Sequence, residues 1–232
     1  MRRLRKNRTF VYVAIGASDT VGVGAANPQK ESWVALLHSR LPRGSKFLRL
    51  GVDGSTVAQA VQQQLPAARE VEADLVTVWL ATNDFDAGVG LKDYEKSLAQ
   101  LLEGTASCGT ARIFIGNVPD LTQVPRYHNE PPESLKDRIL QWNGAIAAVA
   151  GQYGATVIDL YQAGQAIAHL NLPLIADDGF HPSTFGYSVI ADLFWNSISA
   201  DPVLGPVLSG EDALTGPAST DSAASSSAAS SA

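Results

Sequence analysis

Five short apolar runs, separated by helical patterning, constrain the fold of this 232-residue chain more than any other feature. They are Phe10 to Ile15, Phe47 to Leu50, Leu75 to Leu80, Ile113 to Gly116 and Thr156 to Leu160. Each is mostly apolar and generally rich in β-branched or aromatic residues, the pattern of parallel strands covered on both faces. Between them, Asn27 and Pro28 read as the cap and first turn of a helix burying Trp33, Leu36 and Leu37. Leu91, Tyr94, Leu98, Leu101 and Leu102 make a second helical stripe. Leu135, Ile139, Trp142, Ile146 and Val149 make a third, and Ile190, Leu193, Phe194 and Ile198 a fourth. This alternation implies βαβ crossovers and an α/β fold, a three-layer α/β/α sandwich of flavodoxin-like type with about five parallel strands.

The chain length suits one domain, expected over residues 10–205. A hydrophobic share of 45% and a charged share of 17% are those of a water-exposed globular protein. A formal net charge of −6 gives no electrostatic reason to bind nucleic acid. Residues 1–9 form a basic segment carrying Arg2, Arg3, Arg5, Lys6 and Arg8. Export cleavage after Ala17 would delete the first strand, so this segment is read as a solvated terminus and the location as cytoplasmic. No apolar run approaches the ~20 residues of a membrane span. Residues 210–232, ending in a Ser/Ala-only stretch from Ser222, are expected to be a disordered tail. Cys108 is the only cysteine, which excludes an intramolecular disulfide and is read as a small buried hydrophobe.

Chemistry concentrates at strand ends. Gly16-Ala17-Ser18-Asp19-Thr20-Val21-Gly22 follows the first strand, placing a small reactive side chain where a buried strand breaks into a glycine-rich turn. A nucleophilic serine needs a base, and the base needs an orienting carboxylate. Asp178-Gly179-Phe180-His181-Pro182 supplies both on one turn, with Pro182 stiffening the exit and Ser183 or Thr184 capping the helix beyond. Two more strand ends offer donors: Gly54, where no Cβ hinders approach to the backbone N–H, and Asn83 with its side-chain NH₂. Read singly, Gly54 is equally a helix-initiating turn and Asn83 an Asx-turn.

Together these segments resemble the SGNH hydrolase family, the GDSL-like lipases and esterases, over roughly residues 10 to 200. Gly16-Ala17-Ser18-Asp19-Thr20-Val21-Gly22 is similar to the family's first block, Gly54 to the second, Ala81-Thr82-Asn83-Asp84 to the third and Asp178-Gly179-Phe180-His181 to the last. The resemblance implies a serine esterase acting on a small ester without metal or cofactor. It implies Ser18 as nucleophile, His181 as base and Asp178 as its partner, with the N–H groups of Ser18 and Gly54 and the Asn83 amide as the oxyanion hole. The chain departs from the family at Ala17, where aspartate is usual, and at Ala81, where glycine is usual. Ala17 is expected to remove hydrogen bonds supporting the turn, with Asp19 a candidate to replace them in part. Ala81 is expected to be mild if its φ is negative.

Three other readings use the same segments. Acyl transfer to an acceptor other than water needs the same residues, and a silent binding domain is conceivable because of Ala17. Metal-assisted phosphoester hydrolysis would employ Asp19, Asp84, Asp177, Asp178 and His181, but leaves Ser18, Gly54 and Asn83 idle. His38, His128 and His169 lie in a helix, a proline-rich loop and a helix, and none has metal-ligand spacing. Candidate substrate walls are Phe85 to Asp93, Val118 to Glu133 and Leu170 to Ala176. Their Phe85, Leu91, Tyr127, Leu172 and Leu174 would suit a small or medium acyl chain or serve as packing.

Overall fold

The computed structural model describes residues 8–106 and 111–210. Its strands are β1 (Val11–Gly16), β2 (Lys46–Arg49), β3 (Leu75–Trp79), β4 (Arg112–Gly116) and β5 (Thr156–Ile158). They form one sheet in the order β2-β1-β3-β4-β5, every neighbouring pair parallel. The helices are α1 (Ser18–Val21), α2 (Pro28–Glu31), α3 (Trp33–Arg40), α4 (Val57–Gln63), α5 (Leu65–Arg69) and α6 (Thr82–Asp86). They continue as α7 (Leu91–Ala106), α8 (Pro132–Gln152), α9 (Leu160–Ile167), α10 (Thr184–Ser199) and α11 (Gly205–Leu208).

The period-2 alternation of strand side chains sorts the core into two layers. Val11, Val13 and Ile15 of β1 join Val76, Val78, Ile113 and Ile115 against α4, α5, α7 and α8. Tyr12 and Ala14 face the other way and join Trp79 and Phe114 against α3 and α10. Because β1 is fully buried on both sides, its run carries no polar alternation to mark one face as wet.

Local chemistry shifts two expected boundaries. The helix expected from Asn27 is two helices, because Ser32 is extended (φ −65°, ψ 150°) and its Oγ accepts the Ala35 N–H, starting α3 afresh. Trp33 and Leu37 are buried as the stripe requires, and Leu36 only partly. β5 stops at Ile158 rather than Leu160, because Asp159 caps α9 by accepting the Gln162 N–H at 3.0 Å. In the fourth stripe Phe194 and Ile198 are buried, whereas Ile190 and Leu193 are not. The stretch from Val118 to Glu133 is folded through two 3₁₀ turns and buries Leu121, Val124 and Tyr127. Arg8, expected to be solvated, pairs with Asp74, whose other oxygen accepts the Val11 N–H at 2.8 Å and fixes the start of β1. Cys108 and residues 211–232 lie outside the described residues.

Candidate active site

The strand order reverses direction between β1 and β3, and in an open parallel sheet such a reversal leaves a crevice beyond the strand carboxyl ends. Gly16 is in register with Trp79, so the chains leaving β1 and β3 emerge side by side. The first carries Ser18 and the second Asn83. Ser18 and Asn83 line one recess of about 10 Å³, shared with Ala17, Ala81, Thr82 and Phe180. That is roughly one water-sized position.

The turn that presents Ser18 is held from three directions. Any side chain at Gly16 would collide with the Thr20 hydroxyl, only 1.9 Å from an added Cβ, so glycine is required there. The buried Gln64 carboxamide clasps both sides of Gly16, accepting its N–H at 3.0 Å and donating to its carbonyl at 2.9 Å. The same NH₂ reaches Ser55 Oγ at 3.3 Å. Arg49 closes the other end of α1, donating to the carbonyls of Thr20 (2.7 Å), Val21 and Pro28 (3.1 Å), where the helix dipole favours a cation. Gly22, at φ 89°, ends the helix in the left-handed conformation.

The two departures from the family pattern are accommodated. Ala17 is buried in the apolar core, and Gln64 and Arg49 brace the turn at its two ends. Ala81 has φ −170°, extended backbone that any residue adopts.

On the loop before α10, outside the recess lining, His181 Nδ1 lies 2.6 Å from Asp178 Oδ2. Asp178 Oδ1 accepts the N–H groups of Phe180 (2.9 Å) and His181 (3.0 Å), so one carboxylate fixes both the ring and the backbone. Burial acts against ionisation of Asp178, but the His181 bond and these two N–H donors outweigh it and hold the carboxyl below its usual range. Gly179 turns through φ 72°, and the loop is pinned by Ala176 N–H to the His181 carbonyl and Ser183 N–H to the Leu174 carbonyl, both 2.8 Å. Ser183 caps α10 through the Gly186 N–H, whereas Thr184 Oγ1 accepts the Ala26 N–H. Gly24 lets the chain after α1 lie against this loop, since a Cβ there would stand 2.5 Å from the Pro182 carbonyl. No hydrogen bond joins Ser18 to His181 among the described residues. In unliganded sites such contacts are often long and tighten only around substrate.

The other predicted residues separate clearly. Asn83 Nδ2 donates to the Ser55 carbonyl at 3.0 Å, which fixes the amide and leaves its second N–H for a ligand. Gly54 sits at φ 71°, exposed and with no atom within 4 Å of an added Cβ, on the turn preceding α4 and outside the recess lining. Asp84 is turned away, accepting the Val57 N–H at 3.0 Å, and burial pushes its carboxyl up to about 6. Asp177 is exposed. Among the described residues no group of three His, Cys, Asp or Glu side chains is arranged to hold a metal ion. His38 stacks on Phe47 at 4.8 Å, and His128 and His169 are exposed.

Sequence reasoning missed Gln64, Arg49 and the setting of Asp19. Gln64 was visible as a polar residue on the helical face of Val57 and Ala60. Asp19 lines the recess beside Ser18, and its carboxyl is pushed up to about 6. Burial is the main cause, opposed by the charge of His181 and reinforced by Asp178 and Asp53. Tyr187, fully buried on α10, donates to the Val23 carbonyl at 2.6 Å and tethers the segment after α1.

These features define a hydrolase-type α/β crevice with a buried serine at the end of the first strand. A family model, the GDSL-like lipase/acylhydrolase family, matches residues 14–189. The chain belongs to that family, which places it among the carboxylic ester hydrolases. No curated protein sequence matches the chain. Among solved structures it is similar to TesA (20% identity, TM-score 0.66, covering 81% of this chain and 97% of that one). It is also similar to LAE5, an alpha/beta hydrolase from the Lake Arreo metagenome (22%, TM-score 0.65, 81% and 94%). A third is Axe2, an acetylxylan esterase from Geobacillus stearothermophilus (18%, TM-score 0.66, 83% and 95%). At these identities the likeness is one of fold.

Two outcomes follow from this geometry. Gln64→Leu strips the Gly16 N–H of its buried acceptor, and stability is expected to fall by about 1–3 kcal/mol; an unchanged Tm contradicts the clamp. Asp19 stays neutral in the fold up to about pH 6 but ionises from its ordinary 3.8 when unfolded. The stability it leaves intact below about pH 4 is therefore lost as pH rises through about 6. Asp19→Asn cannot ionise, so its stability gain over wild type should grow from about pH 4 to about pH 7, reaching on the order of 2 kcal/mol in urea titrations. A gain that does not vary with pH would contradict the burial of the carboxyl.

Proposed function

We propose that the chain is a serine esterase that works through an acyl-enzyme on Ser18. The observation that carries this reading is the Asp178–His181 pair at 2.6 Å, on a loop against which the chain leaving Ser18 is packed. His181 takes the hydroxyl proton through Nε2 as Ser18 Oγ attacks the ester carbonyl, then returns it to the leaving alcohol. Asp178 fixes the ring so that Nδ1 carries the proton and Nε2 is free as the base, and its charge offsets the imidazolium that forms. Water attacks the acyl-enzyme by the reverse sequence and releases the acid.

The negative oxygen of the tetrahedral intermediate needs donors aimed at it before it forms. The Ser18 N–H, as first residue of α1, has no partner inside its helix, and the second Asn83 N–H faces the recess beside it. Gly54, the third donor of the family pattern, sits on the turn before α4 outside the recess lining, so the reading rests on the Ser18 and Asn83 donors. The recess holds about one water-sized group, the size of a single oxygen.

Hydrolysis of p-nitrophenyl esters, with chelator in every assay, tests the proposal. Ser18→Ala is expected to lower kcat by about 10⁴- to 10⁶-fold, and Asn83→Ala by roughly 10²- to 10³-fold. Wild-type turnover by Ser18→Ala would overturn the mechanism. Among the described residues no helix is long and apolar enough to cross a membrane.

A further inference from the structure

A cavity of about 290 Å³ adjoins the Ser18 recess and runs between α9, α10 and the folded 118–133 loop. The two spaces share Asp19, Trp79, Thr82 and Phe180, so a group bound at Ser18 can continue into the larger one. Its wall explains an irregularity of the core. Ile190 and Leu193 continue the apolar stripe of α10, and Ala163 and Ile167 the apolar face of α9, yet none of the four is buried. All four line this cavity, and Ile190 and Leu193 pack on the core beneath with only part of their surface.

We propose that this cavity is the acyl-chain pocket of the site and selects straight-chain acyl groups of medium length; the inference rests on Ser18 being the acylated residue. Its volume is about twice that of an apolar cavity of ~150 Å³ that takes up benzene, which is room for a chain of roughly eight to twelve carbons. The chemistry of the wall favours hydrocarbon over a sugar. Asp120, the buried carboxylate beside it, already accepts the Thr122 N–H (3.1 Å) and hydroxyl (2.6 Å) and the Gln165 amide (3.4 Å). The other polar side chains of the wall, Asp19 and Thr82 shared with the Ser18 recess, and Gln123 and Asn171, are few among apolar ones, so a polar occupant would lose more water than it regained in hydrogen bonds. The expected walls change accordingly. Leu172 and Leu174 line the cavity, whereas Phe85 is packed on Trp142 and Tyr127 is buried with its hydroxyl 2.6 Å from Asp86. Leu91 packs against the core.

Each methylene moved from water into such a pocket multiplies transition-state affinity by at most roughly fourfold. The test compares kcat/KM for p-nitrophenyl acetate, butyrate, octanoate and decanoate in wild type, Ala163→Phe and Ile190→Trp. The two substitutions fill the cavity from different helices, so a folding failure in one, read by its thermal melt, leaves the other informative. Wild type is expected to prefer octanoate to acetate by about tenfold or more, and either filled variant to lose that ratio. A preference for acetate in wild type, or the same ratio in the folded variants, overturns the inference. Should wild type hydrolyse no ester, the esterase reading fails separately, and calorimetry with decanoate decides the pocket. Decanoate heat present in wild type and lost in Ala163→Phe supports it, and none in wild type overturns it.

Discussion

The site depends on one constraint, the point where strand order turns from β1 toward β3 in a sheet whose strands all run the same way. Parallel strands put every carboxyl end on one side, and at the reversal the connecting chains diverge to opposite faces and leave a gap. Ser18 follows the strand on one side of that gap and Asn83 the strand on the other. The recess between them is a product of topology before it is a product of particular side chains. Interior burial of β1 on both faces makes its position hard to shift, because a one-residue slip would drive Tyr12 into the layer built for Val13.

Topology supplies the gap, and a few long-range polar contacts fix the turn within it. Gln64 treats Gly16 as a sheet neighbour would, meeting both its N–H and its carbonyl beyond the end of β2. Arg49 neutralises the exposed carbonyls at the other end of α1. With these two in place, Ala17 can be an apolar core residue and the turn is still braced on either side. The opposing loop obeys the same logic on a shorter scale, since Asp178 bonds the ring and the backbone of its own turn.

This difference of scale explains how much could be read from residues alone. Strands β1, β3 and β4 were legible because a strand buried on both faces leaves an uninterrupted apolar run, whereas the edge strands β2 and β5 are only partly buried and were read from shorter runs; the sheet order agrees with the flavodoxin-like expectation. The Asp178–His181 contact was legible because three residues of spacing on a glycine turn leave few other geometries. The contacts of Gln64 and Arg49 were not, even where the polar position itself stood out, since each acts across tens of residues on a backbone atom, and backbone atoms leave no mark in sequence. Ile190 and Leu193 misled in the opposite direction: an apolar stripe looks the same whether it meets side chains or a cavity. Ser32 cut one expected helix in two because a capping serine competes with the helix interior for the same backbone donor.

A fluorophosphonate probe followed by mass mapping of the labelled peptide tests the central claim most directly, because only a serine activated by a neighbouring base reacts rapidly. The account predicts a single phosphonyl group on Ser18, with labelling lost in His181→Ala. Label on another residue, equal labelling in the His181 variant, or no label on the folded wild-type protein would contradict it.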